Sequence, residues 1–444
     1  MLDRKLRIGF VTCVHPFYDL PPVARQREEA IGELRRAGCE VLAAETPRSP
    51  ADAVEIAARL RDGAIDVLIL FFCTWVAEEI PLALAGELHD VPMLIWALPY
   101  LDKDIPMPSP MSGLVASASN IRRSGKRFVW LIGQVTPAQV EQVVRAAVAG
   151  KVAGELRRSR FGLVGDACPG MLDVAVDEAD LERALGATAI HIDLDVLLEG
   201  ARAASPAEAA AAAGRLRSQA GVCQIDDQAL TDNLRFYPAL QELVRQNQLD
   251  GYCVRCWPEL RNQHKLTPCA AHALMSQDGV PNSCEIDLPA LITTYVLNRL
   301  AGAPAFNFDI TALLAEQGAI QFAHCGAAAP SLAGDPSRVT LGVHMRTGTG
   351  ATVEFPFPEG TATLAKLLRP QDGRLRLFVC RCRVIDSGDD VRGSVATVRP
   401  EPSAEAFLDT IMREAVEHHV ALVYGDWTRE LAHFCEFTGV EYFS

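Results

Sequence analysis

The sequence lacks three features that mark large classes of protein. It has no excess of basic residues, because 42 Lys and Arg stand against 56 Asp and Glu, for a formal net charge of −14. A nucleic-acid surface needs clustered Lys and Arg, so this balance argues against a nucleic-acid partner. No apolar run reaches the ~18 residues that predict a membrane span, which argues against a membrane partner. The N-terminal residues MLDRKLRIGFVTCV begin directly as a strand and show no cleavable signal pattern.

Thiols are plentiful but do not suggest a disulfide framework. The chain has 13 cysteines, an odd number, in 444 residues. In a long chain without a signal pattern, this count predicts reduced thiols and a cytoplasmic location. The length is enough for two or three domains with a large buried core.

Three stretches of the sequence, each with a different pattern of apolar residues, predict an α/β fold with three domains. In residues 1–160, solid apolar runs alternate with amphipathic segments of helical period, which is typical of a parallel sheet covered on both faces. Residues 161–300 repeat this alternation, so both stretches are predicted to be Rossmann-like α/β domains. Residues 301–444 contain short β-branched segments broken by Gly, Pro and Asp, which predicts a mostly antiparallel, barrel-like C-terminal β domain.

Acidic and imidazole side chains repeatedly follow apolar runs in the second half of the chain. The carboxyl ends of strands, and the loops after them, form the rims of sites in α/β proteins. Carboxylates together with imidazoles suit a hard-to-borderline divalent metal. We therefore expect a metal site built from some of the following residues: Glu285, Asp309, His324, His418 and His419.

Two segments resemble a known family. CEIDLPALITTYVLNRLAGAPAFNFDI resembles the part of L-fucose isomerase and L-arabinose isomerase relatives that carries two metal-binding carboxylates, here Glu285 and Asp309. The separation of the two acids, 309 − 285 = 24 residues, is part of the match. HHVALVYGDWTRELAHFCEFTGVEYF resembles the C-terminal end of the family, where a metal-binding His precedes a strand and a short helix. The resemblance covers roughly residues 250–444 and is faint over the N-terminal half.

The resemblance implies a metal-dependent aldose–ketose isomerase that acts on an open-chain sugar through a cis-enediolate. It assigns Glu285 and Asp309 both to the metal and to proton transfer, with the first of them in the second α/β domain. His419 would bind the metal, and His418 would face the sugar. Arabinose isomerases place a further metal-binding His where fucose isomerases have Asn, so His324 is expected to be a ligand or near-ligand.

The resemblance also implies cofactor and assembly. An oxygen-rich site with one or two imidazoles favours Mn²⁺, with Co²⁺ or Mg²⁺ as alternatives. The family builds its site at a subunit contact, so a homo-oligomer is expected, with a hexamer favoured. The sugar itself stays open between a pentose, a hexose, a 6-deoxy sugar and an anionic sugar.

Several further residues are candidates for contact with the substrate. His15 and Trp75 follow strands of the first domain, where loop packing is the alternative role. Arg255 and Trp257 open a cationic stretch, RCWPELRNQHK, which also contains Arg261 and Lys265. Its charges could clamp a phosphate, sulfonate or carboxylate, or they could be ordinary surface charges.

Two functions of other classes remain open. A non-catalytic sugar-binding or regulatory protein would keep the fold with a degenerate site. A zinc or thiol hydrolase would use the cysteine-rich stretch around Cys253 and Cys256. A zinc site needs a second pair of thiols, and Cys380 and Cys382 alternate along a predicted strand, so their side chains face opposite ways. Free buried thiols are therefore expected at all four positions.

Overall fold

The computed structural model describes residues 5–18, 20–100, 107–369, 373–388 and 390–444. The chain divides into two compact units. One unit contains Leu2–Arg157 with Arg429–Val440, and the other contains Arg158–Thr428 with Glu441–Ser444. Across the described ranges, no helix is long and apolar enough to cross a membrane.

The N-terminal unit is built on a five-stranded parallel sheet. Its elements up to residue 157 are β1 (Arg7–Cys13), α1 (Pro21–Arg36), β2 (Glu40–Ala43), α2 (Pro50–Asp62), β3 (Val67–Phe72), α3 (Glu79–Glu87), β4 (Met93–Ala97), α4 (Pro110–Arg123), β5 (Val129–Ile132) and α5 (Pro137–Leu156). The strand order is β2-β1-β3-β4-β5 and every pairing is parallel. All residues of β3 and β4 are buried, as expected for strands that are covered on both faces.

Local sequence starts these helices. Ser49 accepts a hydrogen bond from the backbone N–H of Asp52, whose carboxylate accepts from the Ser49 N–H in return. This reciprocal cap satisfies two of the unpaired N–H groups at the start of α2, and Pro50 fits its first turn. Thr136 caps α5 in the same manner through the N–H of Gln139.

The second unit opens with another parallel sheet. Its elements are β6 (Arg160–Val164), α6 (Glu178–Leu185), β7 (Thr188–Ile192), α7 (Leu194–Ala203), α8 (Pro206–Arg217), β8 (Val222–Cys223), α9 (Asp227–Asn233), α10 (Phe236–Asn247), β9 (Gly251–Val254), an irregular helical segment (Cys256–Gln263), α11 (Cys269–Gln277), β10 (Asn282–Cys284) and α12 (Leu288–Ala301). Four strands pair in the order β10-β9-β6-β7, all parallel. The carboxyl ends of β9 and β10 therefore lie side by side.

The same unit continues into an antiparallel barrel. The remaining elements of this unit are β11 (Phe306–Leu314), β12 (Ala319–His324), β13 (Thr340–Gly342), β14 (Thr352–Pro356), β15 (Gly360–Leu367), β16 (Arg376–Ile385), β17 (Ser394–Pro400), α13 (Ala404–Arg413), β18 (His419–Tyr424) and β19 (Glu441–Phe443). Between the last two strands, nearly all of α14 (Thr428–Thr438) belongs to the N-terminal unit. Six strands pair antiparallel in the order β16-β15-β18-β11-β12-β17, and a further antiparallel pairing of β16 with β17 closes the ring. Closure removes the edges that an open sheet would leave unpaired.

Short helical turns complete the description: Pro16–Tyr18, Ala315–Gln317, Pro330–Ala333 and Pro336–Arg338. The predicted fold class is confirmed, since parallel α/β sheets precede a mostly antiparallel, barrel-like C-terminal sheet. The predicted division into residues 1–160, 161–300 and 301–444 stays a prediction.

A cluster of phenylalanines fills the space beside β11 and β12. The ring of Phe308 is fully buried, and it lies 4.9 Å from the ring of Phe357 and 6.4 Å from that of Phe322, centroid to centroid. Phe306 contacts Phe308 edge to face at 4.8 Å. Aromatic side chains contribute large buried areas, so this cluster stabilises the two strands that frame the candidate site.

We expect Phe308→Ala to lower the free energy of unfolding of the second unit by about 3–5 kcal/mol, because it removes buried area and leaves a cavity. Urea denaturation followed by circular dichroism measures this change. Met412→Ala is the control, since Met412 is 81% exposed and its loss should change stability by no more than about 0.5 kcal/mol. Equal effects of the two substitutions would contradict the assignment of Phe308 to the core.

Candidate metal centre

The barrel places Asp309 and His419 directly opposite each other. Asp309 on β11 pairs with His419 at the start of β18 in antiparallel register. Directly opposed residues on neighbouring strands have adjacent side chains. The Oδ1 atom of Asp309 lies 3.2 Å from Nε2 of His419, whose side chain is fully buried. A strand pairing alone therefore brings together two residues that are 110 positions apart in the sequence (419 − 309).

Glu285 reaches the same imidazole from the parallel sheet. It follows β10, and its backbone N–H donates to the carbonyl of Val254 at 3.0 Å, which continues the pairing with β9. Its Oε2 atom lies 3.1 Å from Nε2 of His419. Glu285 and Ile286 have φ angles of 64° and 61°, in the left-handed region that side chains rarely adopt. For the β-branched Ile286 such a conformation is strained, and this strained turn directs Glu285 into the site.

Asp287 holds the other side of the imidazole. It is fully buried and is the N-cap of α12, where its Oδ1 accepts from the N–H of Ala290 at 2.8 Å. Its Oδ2 lies 2.8 Å from Nδ1 of His419 and accepts from Nζ of Lys366 at 2.8 Å. A carboxylate on the far nitrogen of a histidine fixes the orientation of the ring, an arrangement typical of metal-binding histidines.

The geometry at Nε2 of His419 fits a divalent cation. This buried atom has no aligned hydrogen-bond partner, although carboxylate oxygens of Glu285 and Asp309 lie within 3.2 Å. A proton on Nε2 can point at one acceptor only, whereas a divalent ion takes several ligands at once. Nδ1 of His324 is a second buried atom without a hydrogen-bond partner. Ligand atoms of two overlapping sets lie within 4.8 Å of one another: Glu285, His418 and His419, and Asp309, His324 and His419.

Opposite charges stabilise one another in this cluster. Burial opposes ionisation of Asp287, but Lys366 and His419 outweigh it and hold the pKa of Asp287 well below its usual range. Burial likewise opposes ionisation of Asp309, and its histidine neighbours hold its pKa low. Burial would lower the pKa of His419, yet the surrounding carboxylates raise this pKa well above its usual value. A metal ion that binds Nε2 must therefore displace a proton, so its affinity should increase with pH.

His418 lies on the accessible side of the cluster. Its Nδ1 is hydrogen-bonded to Oδ2 of Asp173 at 2.5 Å, and its Nε2 lies 3.7 Å from Oδ1 of Asp309. The His418 side chain is 36% exposed, whereas that of His419 is fully buried. The two neighbours thus differ in access, which is consistent with a ligand role for the inner imidazole and a substrate-facing role for the outer one.

The other predicted substrate contacts have different environments. Arg255 makes an ion pair with Glu259 at 2.6 Å, so its charge is largely balanced. Trp257 packs under the guanidinium of Arg261, with 5.6 Å between the Arg261 Cζ atom and the ring centroid. His15 and Trp75 belong to the N-terminal unit, where their rings lie 5.2 Å apart. Contact of these residues with a sugar stays a prediction.

Three residues of the cluster were missed by the sequence analysis: Asp173, Asp287 and Lys366. Asp287 gave a signal, because it stands two positions after Glu285 and directly before a Leu-Pro helix start, but an N-cap explains that position fully. Lys366 in the apolar run ATLAKLL also gave a signal, since a lysine inside a buried strand needs a partner. Asp173 lies in a loop, and no pattern in the sequence distinguishes it.

We expect Lys366→Met to lower the free energy of unfolding by about 3–5 kcal/mol, because it leaves the buried Asp287 carboxylate without its cation. The double variant Asp287→Asn/Lys366→Met should recover part of this loss. Equilibrium denaturation of both variants measures it. Arg381→Met is the control, since its ion pair with Glu401 is half exposed and should contribute no more than about 1 kcal/mol. No recovery in the double variant would show that Lys366 acts through packing instead.

Comparison with known proteins shows which family the chain resembles. Residues 323–444 match the family described as L-fucose isomerase, C-terminal domain. A sulfoquinovose isomerase of Priestia megaterium (strain ATCC 12872 / QMB1551) is 27% identical over 377 residues, which cover 84% of this chain and 84% of that protein. Sulfoquinovose isomerases of Clostridium sp. (strain MSTE9) and Alkalicoccus urumqiensis are 26% and 24% identical, over 77% and 78% of this chain and 77% and 79% of their own lengths.

A solved periplasmic solute-binding protein of Actinobacillus succinogenes 130z with bound D-allose aligns with 67% of this chain and 93% of its own, at 10% identity. Its TM-score of 0.21 is too low to carry an argument. The family match includes His324 and His419, and the relatives cover most of the chain. The chain is thus similar to L-fucose isomerase-like sugar isomerases over most of its length, and these matches indicate an aldose–ketose isomerase.

Proposed function

We propose that the protein isomerises an open-chain anionic sugar, with sulfoquinovose as the first candidate substrate. The observation that supports the chemistry is the approach of two carboxylates, Glu285 and Asp309, to a single imidazole nitrogen of His419. The names of the relatives support the sugar, because sulfoquinovose isomerases align with most of this chain. A sulfonated sugar also accords with the cationic stretch that begins at Arg255.

A divalent metal is part of this proposal. Glu285, Asp309 and His419 would hold it, with His324 as a fourth ligand or near-ligand. Carboxylate oxygens with imidazole nitrogens favour Mn²⁺, with Co²⁺ or Mg²⁺ as alternatives. When bound, the ion would act as a Lewis acid and would stabilise the negative charge that develops on the oxygens of the sugar during the reaction.

The residues of the chain would carry the protons. The reaction moves one proton from C2 to C1 and another from the C2 hydroxyl to O1, so it consumes no redox cofactor. An oxygen of Glu285 or Asp309 would accept the C2 proton, and the resulting carboxylic acid would return a proton to C1 of the enediol. His418, which Asp173 orients through Nδ1, presents Nε2 toward Asp309 and the accessible side, where a sugar hydroxyl would bind.

Assembly and location complete the proposal. We expect a homo-oligomer, with a hexamer favoured and the sites at subunit contacts, in the cytoplasm. Neither assembly nor location enters the chemistry of the metal cluster, whose residues all belong to one unit of one chain.

The thiols do not favour the alternative of a zinc or thiol hydrolase. Cys253 and Cys382 are buried, and their Sγ atoms donate to the carbonyls of Asp287 and Ala362, each at 3.4 Å. Burial raises the pKa of both thiols well above the usual value, so neither forms the thiolate that zinc or redox chemistry requires. Within the described residues, neither set of side chains that could hold an ion contains a cysteine.

Metal removal should therefore abolish turnover without unfolding the protein. After dialysis against EDTA, we expect loss of isomerase activity, an unchanged far-UV circular dichroism spectrum, and recovery of activity with Mn²⁺. Metal analysis of the purified protein identifies the resident ion. Loss of fold on chelation would instead indicate a structural zinc site. Full activity in the chelated enzyme would overturn metal dependence, and specific sugar binding without turnover would support a binding protein.

Glu285→Gln separates proton transfer from metal binding. The amide keeps an oxygen ligand of nearly the same size but cannot accept a proton, so we expect kcat to fall by about 10²–10⁴-fold or more at saturating Mn²⁺. Metal content should remain, and solvent deuterium should appear at C1 or C2 of the product made by the wild-type enzyme. Glu359→Gln is the control, since the Glu359 side chain is 59% exposed.

Near-normal turnover of Glu285→Gln would move the proton-carrying role to Asp309 or His418. If Asp309→Asn also kept its turnover, the enediol mechanism at this cluster would be wrong.

A further inference from the structure

Two arginines in the second unit carry charges that no carboxylate balances. The guanidinium of Arg261 lies over the ring of Trp257, and its Nε makes a long hydrogen bond of 3.5 Å to Oδ1 of Asn262. Arg346 is exposed, in the turn that joins β13 to β14. In the described part of the chain, neither arginine makes an ion pair with an acidic residue. Each therefore offers guanidinium N–H groups to a ligand.

Neighbouring arginines differ from these two. Arg255 is paired with Glu259, as described above. Arg392 donates through Nε to the buried carboxylate of Glu354 at 2.7 Å, and through Nη2 to the carbonyl of Val343 at 2.8 Å. Such pairs leave little net charge for a ligand. Apart from the exposed Lys265, the unbalanced charge of this region is thus concentrated at Arg261 and Arg346.

A buried histidine stands two residues before Arg346 in the same turn. The side chain of His344 is almost fully buried, and its Nδ1 accepts from the backbone N–H of Arg346 at 3.3 Å. Burial first, then the charges of Arg261 and Arg346, lower the pKa of His344 to about 4. At neutral pH His344 is therefore uncharged, and its proton sits on Nε2 because Nδ1 is an acceptor. As far as the structure describes the chain, this Nε2 has no hydrogen-bond partner.

The turn that carries these groups lies beside the metal cluster. His324 pairs with Ser394 at the start of β17. The residue before Ser394 is Gly393, which has no side chain. A Cβ built on Gly393 would meet both the backbone oxygen of His324 and, at 2.8 Å, Cε of Met345. Met345 is the residue between His344 and Arg346, so the turn approaches the backbone of a predicted ligand.

The segment that carries Arg261 begins close to the cluster. It begins at Cys256, two residues after Val254, whose carbonyl accepts from the N–H of Glu285. Its far end is tied to the chain after the turn, because Oγ1 of Thr267 donates to the carbonyl of Ala351 and accepts from the N–H of Ala351, both at 3.2 Å. The two arginines thus lie on stretches of chain that are joined at Thr267 and Ala351 and that each approach the metal cluster.

We infer that Arg261, Arg346 and Nε2 of His344 form a subsite for the anionic group of the substrate; this inference rests on the proposed isomerase function. A sulfonate carries three acceptor oxygens and one negative charge, and this set supplies two guanidinium groups and one neutral N–H donor. Charge-assisted hydrogen bonds from guanidinium are about twice as strong as neutral ones. A phosphate or carboxylate on the terminal carbon offers the same chemistry, so the test includes all three anions.

The test compares Arg261→Met, Arg346→Met and the double variant with the wild-type enzyme. Calorimetry measures binding of sulfoquinovose, glucose 6-phosphate, glucuronate and glucose, and a coupled assay measures turnover of each. We expect each single variant to lose about 10-fold or more in affinity and kcat/KM for the preferred anionic sugar, mainly through KM. Arg346→Lys should keep part of the affinity, because it keeps the charge. Glucose binding should not change.

Arg383→Met is the matched control, since its side chain on the outside of the barrel is 60% exposed. Wild-type turnover of sulfoquinovose with unchanged KM in the double variant would overturn the subsite while the proposed function stands. Arginine-dependent binding of another anionic sugar, with no turnover of sulfoquinovose, would support the subsite and reject sulfoquinovose as the substrate. A wild-type enzyme that shows no preference for any anionic sugar over glucose would overturn the subsite as well.

Discussion

The candidate site depends on one buried carboxylate, that of Asp287. It caps α12 through Oδ1, and through Oδ2 it contacts both Lys366 and Nδ1 of His419. These contacts come from a helix, a barrel strand that carries the lysine, and another that carries the imidazole. An isolated buried charge would cost several kcal/mol, so these three elements are constrained to converge. The result is an imidazole whose ring position is set before any ligand or substrate binds.

The strained turn before Asp287 follows from this constraint. Two successive residues, Glu285 and Ile286, adopt left-handed φ angles, and each such conformation costs about 1–3 kcal/mol. The contacts of Asp287 on one side, and the N–H of Glu285 bonded to β9 on the other, hold the turn in place. Backbone strain is thus retained where it aims a functional side chain.

The sequence predicted the parts of the site that stand at the ends of apolar runs, and missed the parts that depend on burial. Glu285, Asp309 and His419 were predicted as a group because their segments resemble a known family. In the structure one carboxylate oxygen of each acid lies within 3.2 Å of Nε2 of His419, and their role as metal ligands stays a prediction. Lys366 pairs with a residue 79 positions away, and Asp173 with one 245 positions away. Local pattern carries no information about such partners, since they are selected by tertiary packing. The fold class could be predicted from the periodicity of apolar residues. The β16–β17 pairing that closes the barrel could not, because it is non-local and the sequence of neither strand indicates its partner.

Charge distribution gives the proposed substrate one orientation. The chain has a formal net charge of −14, and the metal cluster contributes four carboxylates, those of Asp173, Glu285, Asp287 and Asp309, so an anionic sugar is repelled by most of the molecule. The reacting end of such a sugar is neutral, and its other end carries the charge. An unbalanced arginine pair beside the cluster would attract the charged end, while Glu285, Asp287 and Asp309 would disfavour the reversed orientation. Specificity that combines an attractive contact with a repulsive alternative needs no further contact along the carbon chain.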